Sequence, residues 1–260
     1  MPADADERAD ERASESREFP GWNDPTAEAV LRPVRAGNAF EETVERLMAA
    51  IKLGVVPPGA RFPAERDLAA RLGVSRITLR EALRALQQAG QVEVRRGRFG
   101  GTFVTGPPPA PEPGEARRRA EDMGPALDDA LTFRQVLEVG AVQVLAARGL
   151  TDTQRELLLS RLAAVDTAAP EDYRRLDTAF HLTLAELAGS SSLTAAAADV
   201  RMRLNDLLNA IPVLSRNIEH SAVQHQAIVA AVLDGDPDAA RLAVIEHLDG
   251  TAALLRGFLG

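Results

Sequence analysis

Residues 63–86, PAERDLAARLGVSRITLREALRAL, decide the fold. Leu68, Ala69 and Leu72 give a short helix one apolar side, Gly73 permits a tight turn, and Ser75 is placed to cap a second helix. In that second helix Leu79, Ala82, Leu83 and Leu86 recur at helical spacing as an inner face. Arg76, Arg80, Arg84 and Gln87 make the outer one. Two short helices joined by a glycine-containing turn, the second cationic on its outer side, are what entry into a major groove requires.

Upstream, Phe40, Val44, Leu47, Met48 and Ile51 fall at helical spacing and predict a first helix that stops before Gly54 and the turn Pro57-Pro58-Gly59. Downstream, Val92 and Val94 alternate with Glu93 and Arg95, and Gly97-Arg98-Phe99-Gly100-Gly101 leads into Thr102-Phe103-Val104. That pattern predicts a small hairpin, a wing whose glycines let backbone and the charges of Arg95, Arg96 and Arg98 approach phosphates closely. The same order of elements would also serve as a protein-interaction module with solvated arginines.

The charge is segregated. Residues 38–105 hold eleven Lys or Arg against seven Asp or Glu, a net +4, so within a chain of net charge −8 everything else carries −12. A length of 260 residues with 45% hydrophobic content favours two domains. No stretch reads as about 20 uninterrupted apolar residues and the N-terminus is acidic, which predicts a soluble, cytoplasmic protein without a membrane partner. The absence of cysteine excludes disulfides, thiolate metal sites and thiol nucleophiles.

Residues 1–37 are polar and poor in apolar side chains, and are expected to be a disordered tail before a winged helix-turn-helix domain over 38–105. Residues 106–125 open on Gly106-Pro107-Pro108-Pro109 and are expected to form an extended or partly helical linker. From 126 to 260 the pattern is helical, with segments near 126–148, 152–166, 171–188, 192–210, 215–234 and 237–257. A capping box at Thr151 and Gln154, a break at Pro212 and an N-cap at Asp236-Pro237 punctuate them. The fold class is therefore mainly α: an N-terminal winged helix-turn-helix and a C-terminal all-α antiparallel bundle of about six helices.

Three of the four histidines fall on inward stripes of that bundle. Asp177 and His181 are four apart and share a helix face, His225 lies on the stripe Ile218, Ala222, Val229 and Val232, and His247 lies among Ala240, Val244 and Leu255. His220 is off that face and reads as a surface residue. Each inward histidine is either a satisfied core residue or a ligand, and three nitrogens with one carboxylate oxygen suit a divalent cation, with zinc, nickel and manganese all compatible. Arg134 and Glu138 also share a face, so Arg134 is either half of an intrahelical pair or a partner for a ligand carboxylate.

Residues 52–104, through Gly59, Pro63-Ala64-Glu65-Arg66, Leu72-Gly73-Val74-Ser75-Arg76, Leu79-Arg80-Glu81-Ala82-Leu83 and the glycine-rich wing, resemble the GntR family of transcription factors. The resemblance implies that Arg66, Arg76 and Arg80 contact operator bases or phosphates, that Ser75 and Thr78 contact the DNA backbone, and that Arg96 and Gly97 form the wing contact. Gln91 stands where the family usually has Leu, and Phe99 where its wing is usually shorter or basic. Residues 126–257 resemble the effector-binding FCD domain of the family's FadR-type branch. In its metal-binding members an Asp, a His four residues later and two His on the last long helices hold the ion, which assigns Asp177, His181, His225 and His247. Ser190 departs, standing where Asn is common. The family pattern also turns an arginine like Arg134 toward the ligand cavity, and Asn205 and Asn209 either line that cavity or are polar surface.

Together these readings predict a homodimeric regulator, more readily a repressor, that reads near-palindromic double-stranded operator DNA under control of a small carboxylate effector at a metal site. Two other classes stand beside it: a metal-dependent hydrolase with an accessory winged domain, and an architectural DNA-binding protein that needs no effector.

Overall fold

The computed structural model describes residues 39–97, 100–105, 113–208 and 215–259, together with Ala27, Val30, Leu31 and Pro33. The chain divides into two compact units, Met1–Pro108 and Pro109–Gly260.

In the first unit α1 (Ala39–Lys52), α2 (Glu65–Leu72) and α3 (Arg76–Gln88) precede a hairpin of β1 (Val92–Arg95) and β2 (Gly101–Val104). Helix α3 packs against α1, α2 and β1, and its buried residues are Leu79, Ala82, Leu83 and Leu86. Leu68 and Leu72 of α2, Leu47 of α1 and Phe62 complete that core. Burying each such side chain contributes about 1.5–3 kcal/mol, which outweighs the weak helix propensity of an eight-residue segment like α2. Gly73 closes α2 in the left-handed region, φ 65°, with its N–H returning to Ala69 and Ala70, and Ser75 opens α3 by accepting from the Thr78 N–H at 3.0 Å.

The hairpin is antiparallel, with Val92 opposite Val104 and Arg95 opposite Gly101. Residues 59–62 run along the other edge of β2: Gly59 N donates to Val104 O at 2.8 Å, Val104 N to Ala60 O at 3.0 Å and Phe62 N to Thr102 O at 2.8 Å. The residues that follow the turn Pro57-Pro58-Gly59 thus lie along the open edge of β2, with an isolated bridge between Arg61 and Phe103, and satisfy that edge of the wing. Arg98 and Phe99 at the tip lie outside the described residues.

The second unit consists of α4 (Pro113–Arg148), α5 (Asp152–Asp166), α6 (Pro170–Leu187), α7 (Ser191–Leu208), α8 (Ser215–Leu233) and α9 (Pro237–Leu259). The α4–α5, α5–α6, α6–α7 and α8–α9 connections are three residues each, which turns consecutive helices into antiparallel neighbours. Helix α4 is central and packs against α6, α7, α8 and α9. Its stretch Leu127–Arg148 is long and apolar enough by length and composition to cross a membrane; in this fold it is a core helix. The capping box at Thr151 and Gln154 is formed, and Asp236 caps α9 by accepting from Ala239 N at 2.9 Å.

Two expectations are corrected. Within the tail expected to be disordered, Ala27, Val30 and Leu31 are buried, Leu31 N donates to Ala27 O at 2.9 Å, and Pro33 lies against Gly73. Apolar side chains at positions 27, 30 and 31 suit one helical face, too short a pattern to outweigh the polar composition around it. The second correction is that α4 begins at Pro113 and not near 126, so it includes residues expected as linker. Pro113 takes the first helical position, and Glu115 to Glu121 are all good helix formers. Residues 106–112, and with them the rest of that expected linker, lie outside the described residues, as do Asn209 and Pro212.

A side chain at position 73 would adopt a left-handed backbone and approach Pro33 at 3.3 Å. Gly73→Ala should therefore cost about 1–2 kcal/mol, read as roughly ten-fold faster hydrogen exchange of α3 amides in the full chain. Unchanged protection would show that the turn tolerates a Cβ.

Candidate DNA interface and candidate metal centre

On α3, the N-cap puts Ser75, Arg76, Ile77 and Arg80 on the exposed side, with Thr78 half-buried. The Ser75 and Thr78 hydroxyls lie 2.8 Å apart. Arg76 extends into solvent, while Arg80 Nε donates to Glu65 Oε2 at 2.7 Å, which fixes its guanidinium across the turn. Arg66, 82% exposed, donates to Asp67 at 3.0 Å. In the wing Arg96 is exposed and Gly97 has φ 108°, a conformation that glycine alone adopts readily. Arg95 stacks over the Phe103 ring at 4.3 Å and donates to Glu93, so part of the wing's charge is bound up in its own packing. The sequence reading overlooked Ile77, which is 70% exposed among these polar neighbours. Its signal was an apolar residue on the polar side of the stripe.

In the second unit Asp177, His181, His225 and His247 offer ligand atoms that all lie within 4.8 Å of one another. Helix α6 carries the first two, α8 the third and α9 the fourth, and all three imidazoles are buried. Glu138 of α4 accepts from His181 Nδ1 at 2.6 Å, and Gln224 Oε1 accepts from His247 Nδ1 at 3.2 Å. A carboxylate and an amide oxygen are acceptors only, so each places the ring proton on Nδ1. The Nε2 atoms of the two rings then face each other 3.1 Å apart. At that separation either one Nε2 carries a proton that it donates to the other or a cation lies between them, and two nitrogens each about 2.1 Å from one ion at near right angles have that spacing. Both nitrogens of His225 are buried without a hydrogen bond, and its Nε2 is 3.4 Å from Asp177 Oδ1. The donor set of three imidazoles and one carboxylate oxygen therefore fits a divalent ion, with Glu138 and Gln224 orienting two of the rings.

Charged groups surround the cluster. Arg134 Nε donates to Glu138 Oε1 at 2.7 Å, and Arg201 Nη1 donates to Asp177 Oδ2 at 3.1 Å. Burial would raise Glu138, but Arg134, His181 and Arg201 overcome it and hold the carboxyl well below its ordinary value. Asp177 is likewise held low against burial by His181 and Arg201, with the nearby His225 ring adding to the effect. Burial pushes His225 down against the pull of Asp177, and pushes His247 down with the help of His181 and His225. Arg201 was not singled out from sequence, although its spacing from Ala197, Ala198, Leu204 and Leu208 puts it on the buried stripe of α7.

A cavity of about 60 Å³ adjoins the cluster, lined by Arg134, Tyr173, Asp177, Asn205, Ser221 and His247 among others. Arg134 pairs with Glu138 and also lines the cavity. Asn205 is buried and donates to Thr178 Oγ1 at 2.9 Å, which leaves its amide oxygen as an acceptor. His220 is exposed and outside the cluster.

Known proteins were compared with this geometry in hand. Residues 40–104 match the model of the bacterial regulatory proteins of the gntR family, and residues 129–250 match the FCD domain. The HTH-type transcriptional repressor NanR of Citrobacter rodentium is 32% identical over 233 residues, 85% of this chain and 87% of that protein. The chain belongs to the GntR family. The Exu regulon transcriptional regulator of Escherichia coli is 27% identical over 228 residues, covering 83% and 84% of the two chains. Among solved structures, E. coli McbR/YncC superposes with a TM-score of 0.52 at 21% identity over 85% of this chain and 99% of that one, a likeness of fold. As a GntR-family protein with an FCD domain, the chain is a transcriptional regulator of a family that binds operator DNA, and its relatives are regulators and not enzymes.

For His225, His247, Glu138 and Asp177 the folded state binds protons less readily than the unfolded chain, so unfolding takes up protons and stability falls as pH falls. The histidines act first, as pH drops through their ordinary 6.5, and the carboxyls follow below 4.5 and 3.8. In metal-free protein the second unit's thermal midpoint should therefore decline in two stages as pH is lowered. A midpoint that rose between about pH 7 and pH 5 would show that these histidines fold charged.

Proposed function

We propose that this regulator is a repressor of the FadR-type branch. In this reading it binds near-palindromic operator DNA as a homodimer in the cytoplasm, through a domain spanning about residues 38–105. A small carboxylate effector, bound beside a divalent ion in a domain spanning about residues 126–260, sets its operator affinity. The observation that carries the reading is the pair of Nε2 atoms 3.1 Å apart, each ring fixed by an acceptor behind it, at the wall of a cavity that also holds Arg134. A relative named as a repressor supports the sign of the regulation.

Asp177, His181, His225 and His247 would hold the ion, which when bound supplies positive charge and positions for effector oxygens. Arg134 would receive the effector carboxylate through the nitrogens that Glu138 leaves free. The Asn205 amide oxygen would accept from an effector hydroxyl. Because Arg134, Glu138, Asp177 and Arg201 pair across α4, α6 and α7, drawing Arg134 toward an effector changes the balance that fixes those helices. An effector alters operator affinity only by favouring one such arrangement over another.

At the DNA, Arg76 and Arg80 would read base edges, Ser75 and Thr78 the backbone, Arg66 a phosphate or base, and Arg96 and Gly97 the wing contact. Ile77 adds an apolar contact suited to a thymine methyl group. Arg76→Ala should cost about 1–3 kcal/mol of specific affinity, measured on a site selected from random duplex DNA. Unchanged affinity would remove Arg76 from base reading.

Metal analysis tests the second unit. His225→Ala should abolish stoichiometric zinc, nickel or manganese and lower the thermal midpoint through lost linkage. Equal metal in variant and parent would exclude His225 as a ligand. A thermal-shift screen of metal-loaded protein against sugar acids, hydroxy acids, dicarboxylates and fatty acyl compounds should yield a stabilising carboxylate that weakens operator binding. Operator affinity indifferent to every such ligand and to metal would favour the architectural reading.

A further inference from the structure

We infer that the effector of the second unit is a short dicarboxylate, and that its binding and that of the divalent ion strengthen each other, an inference that rests on the metal and effector reading. Among the described residues the charged side chains lining the cavity are Arg134, Arg174 and Asp177. Behind the cavity wall Arg134 pairs with Glu138 at 2.7 Å and Asp177 with Arg201 at 3.1 Å. These four side chains are 3%, 6%, 16% and 2% exposed, so their charges are withdrawn from water, and two guanidiniums against two carboxylates sum to zero. A histidine that ligates a metal does so as a neutral ring, so His181, His225 and His247 add nothing. A divalent ion therefore leaves two positive charges without a counter-charge in a buried site. The cationic side of the network is already the less compensated one, since Arg201 Nη2 is buried and makes no hydrogen bond.

The charge count identifies the occupant. A monocarboxylate removes one of the two positive charges and a dianion removes both. Arg174, half-buried, supplies the second carboxylate with a partner of its own. Burial pushes the Arg174 guanidinium below its ordinary value, and Asp177, the acid whose charge opposes that push, is already shared with Arg201. Arg134 reaches the cavity from α4 and Arg174 from α6, so the two cationic groups suit charge carried at both ends of a short chain. A cavity of about 60 Å³ has room for about four to six waters at roughly 10–15 Å³ each, the space of a short acid. Without the ion, the dianion would enter a site whose buried charges already cancel; without the dianion, the ion is buried uncompensated. Each lowers the cost of burying the other, and such coupling is reciprocal.

The test titrates the zinc-loaded full chain calorimetrically with malonate, succinate and glutarate, each against its half-amide, which keeps the shape and removes one charge. The best dicarboxylate should bind about ten- to a hundred-fold more tightly than its half-amide, the difference made by one charge-assisted contact. With free zinc held by a metal buffer, that dicarboxylate should strengthen zinc binding by the same factor by which zinc strengthens its own. Arg174→Gln should remove most of the preference over the half-amide, and the comparison in the parent chain stands whether or not that variant folds. Equal binding of dicarboxylate and half-amide overturns the dianion while leaving a monocarboxylate effector intact. Inorganic phosphate that binds as tightly as the best dicarboxylate shows a compact dianion and overturns the two-ended ligand. A dicarboxylate that binds zinc-free protein equally well overturns the coupling. Absence of binding by every acid of either charge overturns the effector reading and this inference together.

Discussion

Four ionised side chains, Arg134, Glu138, Asp177 and Arg201, are withdrawn from water in one connected network, and a charge so placed is tolerable only while its partners stay in reach. They come from α4, α6 and α7, and the imidazoles they touch come from α6 and α8. No one of these helices can slide without stranding a charge. The network therefore fixes the relative positions of four helices more sharply than apolar packing does, since Leu or Val contacts tolerate small shifts. It also gives direction to the site. Arg201 occupies Asp177 Oδ2, which leaves Oδ1 turned toward His181 and His225.

The winged unit was legible because each local preference there agrees with the global fold. Gly73, Ser75 and the stripe Leu79, Ala82, Leu83 and Leu86 have few alternatives once a helix-turn-helix is assumed, and the structure uses each as read. What sequence could not show is the pairing of residues 59–62 with the edge of β2. Its register is set by backbone hydrogen bonds to Val104 and Thr102, and neither periodicity nor turn chemistry encodes a bond between distant backbones. The start of α4 escaped for the opposite reason. Proline-rich composition pointed to a linker, while the Pro113 start and the helix formers after it favour a helix.

In the second unit the pattern placed Asp177, His181, His225 and His247 on inward faces, and the structure brings the four together. Periodicity finds such positions because it reports which side of a helix is buried. It does not report which polar groups meet across helices. Arg201 was detectable on the same grounds as the histidines but was passed over as a charged residue, whereas Gln224 carries no signal at all: it is half-buried beside His225 and matters only because His247 on the next helix faces it.

Helix α4 carries both the charge network and an uncharged outer stripe. Arg134 and Glu138 project from one side, and Phe133, Val136, Gly140 and Val144 from the other. A helix held by hydrogen bonds along its axis moves as a rigid body, so a ligand that draws on Arg134 cannot shift the inner face without shifting the outer one.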